Sequence, residues 1–331
     1  MTNNASKTAL VTGSNSGLGF EAAARFAELG YRRVILATRT LAKAEAARKQ
    51  LVDRTGKDPF EALVVDVSNN ATVKAAVETL AKRGGLIDAV LLNAGLMAGS
   101  EIGRNDDGVE LTVAASVIGH HVLTMGLLEE GLLNDDARIV LAGSEAARGD
   151  VPMMGLTDVA TFAQEHTAGD RSQAIEAIAR AEAPYGYKNM AHYAMAKLIL
   201  AWWVAALSRR LPSGVSVYAV SPGSAPATSG ARHQPWLMRV FGAWLMGSWF
   251  GQAVGMGAPV SKAAERYIDA FAYSADKSGY FFASAPGKMV GDVVRQVQPH
   301  VLDEANQEAA WSAVVHLSGT DIPRGSMAVG A

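Results

Sequence analysis

The chain has 331 residues, with 30 Lys and Arg against 32 Asp and Glu, for a formal net charge of −2. Hydrophobic residues make up 49% and charged residues 19%, which supplies a large core and excludes a disordered chain; the near-neutral balance argues against nucleic acid as a partner. Cysteine is absent, so disulfides, thiolate zinc sites and cysteine nucleophiles are excluded.

The polar start, Met1 to Lys7, runs straight into an apolar stretch and leaves no room for a signal-peptide core, so a cytoplasmic address is expected. Ala9-Leu10-Val11 reads as a first buried strand, followed by a glycine-rich turn and a helix over Glu21 to Leu29. Val34 to Ala37 is a second strand, followed by the helical Leu41 to Val52. Leu63 to Val65, Ala89 to Leu92, Arg138 to Ala142 and Val215 to Val220 complete the series. Short aliphatic runs separated by helical stretches predict parallel strands covered on both faces. Right-handed crossovers then give an α/β doubly wound parallel sheet, the Rossmann fold, as a single domain over 1–331.

Two segments look inserted on that frame. Residues 145–189 separate the fifth strand from the next helix and contain a helical stretch from Asp170 to Glu182. Residues 224–261 follow the sixth strand; Trp236, Phe241, Trp244, Trp249 and Phe250 among glycines suggest a lid over a bulky apolar substrate. The uncharged run Val240 to Val260 is cut by Gly242, Gly247, Gly251, Gly255, Gly257 and Pro259, so stable membrane insertion is not expected. Residues 319–331 read as a frayed tail.

Thr12-Gly13-Ser14-Asn15-Ser16-Gly17-Leu18-Gly19 lies between a strand and a helix. Gly13 permits a tight turn, Gly17 a close approach to a pyrophosphate, and Gly19 close helix packing. The amides opening the helix hold phosphates. At the end of the second strand, where a carboxylate would bind the ribose of NAD, the chain has Thr38-Arg39. A guanidinium pairs with a 2′-phosphate where a carboxylate would repel it, so NADP(H) is favoured over NAD(H). Tyr193 and Lys197 sit one turn apart on an apolar helix, and a nearby ammonium is expected to lower the phenol pKa. His120 and His121 are adjacent, cannot share one helix face as metal ligands, and read as structural; no metal site is expected.

With these motifs the sequence resembles the short-chain dehydrogenase/reductases over nearly its whole length. The glycine turn, Asp66-Val67, Asn93-Ala94-Gly95, Ser144, Tyr193 with Lys197, and Pro222-Gly223 with Thr228 occur in the family's order. Thr38-Arg39, Asp107 to Leu111 and Gly119-His120 look like the branch containing retinol dehydrogenases and light-dependent protochlorophyllide oxidoreductases, and Lys277 to Phe281 like the latter's C-terminal part. The resemblance implies hydride transfer between nicotinamide and a carbonyl or secondary alcohol. Tyr193 would be the general acid/base, Ser144 would hold the substrate oxygen, and Lys197 would contact the nicotinamide ribose. Asp66 and Val67 would hold the adenine, and Asn93, Ala94 and Gly95 would flank the ribose. Pro222, Gly223, Ser224, Ala225 and Thr228 would bracket the carboxamide. Ser116 occupies the position where the family often has an Asn of the proton relay, and Ser224 replaces a Cys common in the photochemical enzymes. Reduction of an enone C=C bond and a non-catalytic NADP-binding role are the alternatives, and a homo-oligomer is left open.

Overall fold

The computed structural model describes residues 4–224 and 259–323. Chain order begins β1 (Thr8–Thr12), α1 (Gly17–Glu28), β2 (Arg33–Thr38), α2 (Leu41–Thr55), β3 (Phe60–Val64), α3 (Asn70–Arg83) and β4 (Ile87–Leu92). It continues with a long helix α4 (Leu111–Glu129), then β5 (Leu133–Ala142), α5 (Val159–His166), α6 (Arg171–Arg180) and α7 (Asn189–Ser208). The remainder is β6 (Ser216–Val220), α8 (Val260–Ala270), β7 (Phe281–Ser284), β8 (Val293–Arg295) and α9 (Glu304–Ser318).

The strands form one sheet in the order β3-β2-β1-β4-β5-β6-β7-β8, parallel from β1 through β7, with β8 antiparallel at the edge. The expected doubly wound parallel sheet is present. Alternate strand residues feed two cores. Leu10, Ile35, Val90 and Ile139 enter one, whereas Val11, Val34, Leu91 and Val140 enter the other. The six expected strands are all found. The third starts earlier than read, at Phe60, because this edge strand mixes buried, half-buried and exposed residues rather than forming an aliphatic block. β7 and β8 were not read as strands: four and three residues long, they hold only by pairing with β6 and with each other.

Within the first insertion, α6 matches the expected Asp170 to Glu182 stretch, and Asp170 caps it by accepting from the Ser172 and Gln173 amides. α5 and α6 pack together, and α9 packs on both α6 and α7. The lid segment lies outside the described residues, apart from Ser224 and residues 259–261. Two helices, α4 and α7, are long and apolar enough to cross a membrane; both are largely buried inside the protein.

α4 begins at Glu110, widens into a π turn at Ala114–Ile118, and continues from Gly119 as a regular helix. Gly119 presses on the chain leaving β3: a Cβ there would lie 1.7 Å from the Val67 carbonyl oxygen. Helix propensity favours Ala over Gly by about 1 kcal/mol, but overpacking against backbone costs about 3 kcal/mol. Gly119→Ala should therefore destabilise the protein in urea unfolding by about 2 kcal/mol net. Gly186→Ala, with open space around that site, should stay within about 0.5 kcal/mol of wild type. Equal stability of the two variants would refute the close packing of α4.

Candidate active site

Parallel strands present their C-terminal ends at one edge of the sheet, and ligands of such sheets bind where the strand order reverses. Here that point lies between β1 and β4. A cavity of about 490 Å³ opens there. Gly13 and Gly17 both take positive φ, 66° and 59°, to make the turn from β1 into α1. Ser16 makes no side-chain cap on α1, so the first-turn amides stay available at the cavity. The buried Ser14 hydroxyl has no hydrogen-bond partner among the described residues.

Most of the residues expected from the sequence line this cavity: Gly13, Asn15, Ser16, Gly17, Leu18, Thr38, Arg39, Asp66, Val67, Asn93, Ala94, Gly95, Ser144, Tyr193, Lys197, Pro222, Gly223 and Ser224. Ser14, Gly19 and Ser116 stand behind the wall. Gly19 serves packing, because a Cβ there would lie 2.5 Å from the Gly13 carbonyl oxygen. Ser116 lies in the π turn with a buried, unpartnered Oγ, and it faces Gly95: a Cβ on Gly95 would sit 3.3 Å from it and 3.8 Å from Lys197 Nζ. Ala225 and Thr228 lie outside the described residues.

Sequence reading missed several wall residues. Lys43 joins Arg39 at the cavity, and its place four residues further on was a visible signal. Glu145, Ser221 and Met97 stand within two residues of expected site positions but match no motif, and Tyr267, Met154 and Met289 come from other chain segments.

α7 holds Tyr193 and Lys197 on the cavity side. Lys197 Nζ donates to the Ala142 carbonyl at 2.8 Å, and burial lowers its pKa to about 8. It lies 5.8 Å from the Tyr193 ring centre. The expected lowering of the phenol pKa is not the net direction found. Burial pushes the Tyr193 phenol up, its hydrogen bond with Ser144 opposes this, and the charge of Glu145 raises it further. Desolvation of the buried phenol is the largest cause and sets the direction.

A search with family profiles matches the short chain dehydrogenase profile over residues 7–157. Short chain dehydrogenase sol3 of Alternaria solani is 31% identical over 217 residues, covering 66% of this chain and 71% of that protein. The chain belongs to the short-chain dehydrogenase family. It is an oxidoreductase with a Rossmann-type nucleotide-binding fold. Human retinol dehydrogenase 13 is 26% identical over 96% of this chain and 86% of its own length. A solved structure from Mycobacterium paratuberculosis shares the fold with a TM-score of 0.67, at 22% identity over 96% of each chain.

Both adjacent histidines of this dehydrogenase are buried and bonded. His120 Nδ1 meets the Ser116 carbonyl at 3.2 Å and Nε2 meets Thr12 Oγ1 at 3.1 Å. His121 Nδ1 accepts from Trp203 Nε1, and its Nε2 meets the Thr320 carbonyl. Burial lowers their pKa values to about 3 and about 4. Both rings are thus neutral when folded, while an unfolded histidine takes up a proton below about pH 6.5. The unfolded state then binds more protons, so stability should fall as pH drops from about 6.5 toward about 4, by up to about 1.4 kcal/mol per unit for each ring. Urea titrations from pH 7 to pH 4.5 test this. His121→Gln should flatten the slope, and an unchanged slope would mean the ring is charged in the native protein.

Proposed function

We propose that this enzyme reduces the carbonyl group of a bulky apolar substrate with NADP(H), or runs the reverse oxidation, with Tyr193 exchanging the proton. One observation carries the reading: Ser144 from the end of β5 and Tyr193 and Lys197 from α7 converge on the cavity that begins at the Gly13–Gly17 turn. The residues present fit a dinucleotide. Uncapped amides of α1 and the unpartnered Ser14 hydroxyl suit a pyrophosphate, and Asp66, Asn93 and Pro222–Ser224 line the remaining length. A bound nicotinamide would supply the hydride. The chain's own part is to hold the substrate oxygen at the Ser144 and Tyr193 hydroxyls and to move a proton at the phenol. A phenol held above its usual range stays protonated at neutral pH, ready to donate to a reduced carbonyl oxygen.

The cofactor preference rests on the end of β2. Arg39 and Lys43 both line the cavity there. The carboxylates that line it, Asp66 and Glu145, follow β3 and β5 instead. Asp66 is further engaged by the Ser68 amide and hydroxyl. Two cations without a facing carboxylate favour a 2′-phosphate over a free hydroxyl. Leu96, Met97, Ala146, Met154 and Met289 support an apolar substrate, since methionine side chains adapt to varied shapes. The proposed cytoplasmic setting, without membrane insertion, rests on the cysteine-free composition and the burial of α4 and α7.

Tyr193→Phe keeps the ring and removes the proton. Turnover of NADPH against a panel of ketones and aldehydes should fall at least about 100-fold while NADPH binding persists. Turnover near wild type would overturn the assignment. Arg39→Asp should weaken NADPH binding by about 2 kcal/mol, roughly thirty-fold, and spare NADH. Fluorescence titration of both cofactors reads this directly; wild-type affinity equal for the two would remove Arg39 from its role.

A further inference from the structure

Glu145 is a carboxylate where an apolar side chain would be the simpler choice. It follows Ser144 directly, lines the cavity, and is almost fully buried. Its Oε1 accepts from the Ser284 amide at 3.2 Å, the Ser284 hydroxyl at 3.0 Å and Arg266 at 3.4 Å, and its Oε2 accepts from the Ser221 hydroxyl. Every one of these partners donates, which is the environment of an ionised carboxylate.

The four partners come from three places. Ser221 follows β6 directly, Ser284 ends β7, and Arg266 belongs to α8. With its hydroxyl hydrogen given to Glu145, Ser221 Oγ turns a lone pair to the Gly223 amide at 3.1 Å. Arg266 also donates to the Ser221 carbonyl, to Ser284 Oγ and to the Gly291 carbonyl. Gly223 is wedged beside this guanidinium: a Cβ there would lie 2.8 Å from it and 2.9 Å from the Met289 carbonyl oxygen. The next amide, Ser224, donates to that same Met289 oxygen.

We propose that Glu145, paired with Arg266, is a positioning residue that locks the ends of β5, β6 and β7 together and sets the charge around the Tyr193 phenol. This rests on the reductase reading for its consequence in turnover, but not for the titration that tests it. The groups facing Glu145 are Arg266 and Tyr267 from α8 and Tyr193 from α7; Arg148 lies beyond, bound to the Ser284 carbonyl and paired with Asp150. Arg266 offsets the carboxylate at 3.4 Å, the longest of its four hydrogen bonds, and the remaining charge raises the phenol.

The phenol can be titrated in the NADP⁺-loaded protein by the tyrosinate ultraviolet band, with Tyr193→Phe as the blank. Glu145→Gln removes the charge and should lower the Tyr193 midpoint by about one pH unit. Glu145→Asp restores the charge with a shorter reach and should return the midpoint toward wild type while lowering kcat. Ser221→Ala leaves the carboxylate and frees the Gly223 amide; it should weaken NADPH binding about tenfold in a fluorescence titration without moving the midpoint. A Glu145→Gln midpoint equal to wild type would overturn the electrostatic role. Should that variant not fold, the aspartate and Ser221→Ala variants decide: unchanged NADPH affinity in Ser221→Ala would overturn the positioning role. Absence of turnover on every carbonyl, with the midpoint shifted as stated, would count against the reductase reading alone.

Discussion

The strand ends on either side of the ligand crevice are tied by one hydroxyl. Thr12 Oγ1 at the end of β1 accepts from the Ala94 amide beyond β4 at 2.9 Å and meets His120 of α4 at 3.1 Å. Asn93 reinforces the tie by donating from Nδ2 to the Thr12 carbonyl. The tautomer follows from the neighbours. His120 Nδ1 faces a carbonyl oxygen and must carry the hydrogen, so Nε2 accepts and the Thr12 hydroxyl donates to it. A protonated ring would donate from Nε2 and turn the Thr12 hydrogen to the Leu91 carbonyl, 3.4 Å away; the low pKa that burial imposes keeps the ring neutral. The glycine turn, the Asn93–Gly95 segment and α4 are thereby held in one arrangement before any ligand enters.

The π turn in α4 belongs to the same design. Widening a helix frees a backbone carbonyl from its usual partner and re-aims the side chains around it. The Ser116 carbonyl finds His120 Nδ1, and the Ser116 hydroxyl is turned toward Gly95 and Lys197. A buried hydroxyl without a partner is costly unless something meets it. A regular helix would place that side chain differently, so the irregularity sets the hydroxyl beside Gly95.

Much of this was legible from local pattern. Aliphatic blocks marked the buried parallel strands, and glycines between strand and helix marked the crevice. The spacing of Tyr193 and Lys197 put both on one face of α7. What stayed hidden depends on residues far apart in the chain. Glu145 meets Arg266 only because β5, β6 and β7 end side by side. β7 lacks the length for a strand signal and exists because β6 pairs with it. The direction of the Tyr193 shift was hidden for a related reason: spacing reports which charges are near, whereas desolvation depends on everything packed around them.

α7 is apolar around most of its circumference, a pattern that requires cover on several sides. The sheet covers one side, and α9 together with the first insertion's α6 closes the outer one. Trp202 and Trp203 are fully buried in that packing, yet each indole N–H is satisfied, by the His300 carbonyl at 2.7 Å and by His121 Nδ1 at 3.1 Å. His121 in turn holds the Thr320 carbonyl, just past α9, at 2.8 Å. α6, within the segment 145–189 that looked inserted on the Rossmann frame, and α9 therefore brace the helix bearing Tyr193 and Lys197. The Tyr193 phenol sits there hydrogen-bonded to Ser144, and close packing on several sides is what keeps a buried side chain in one rotamer.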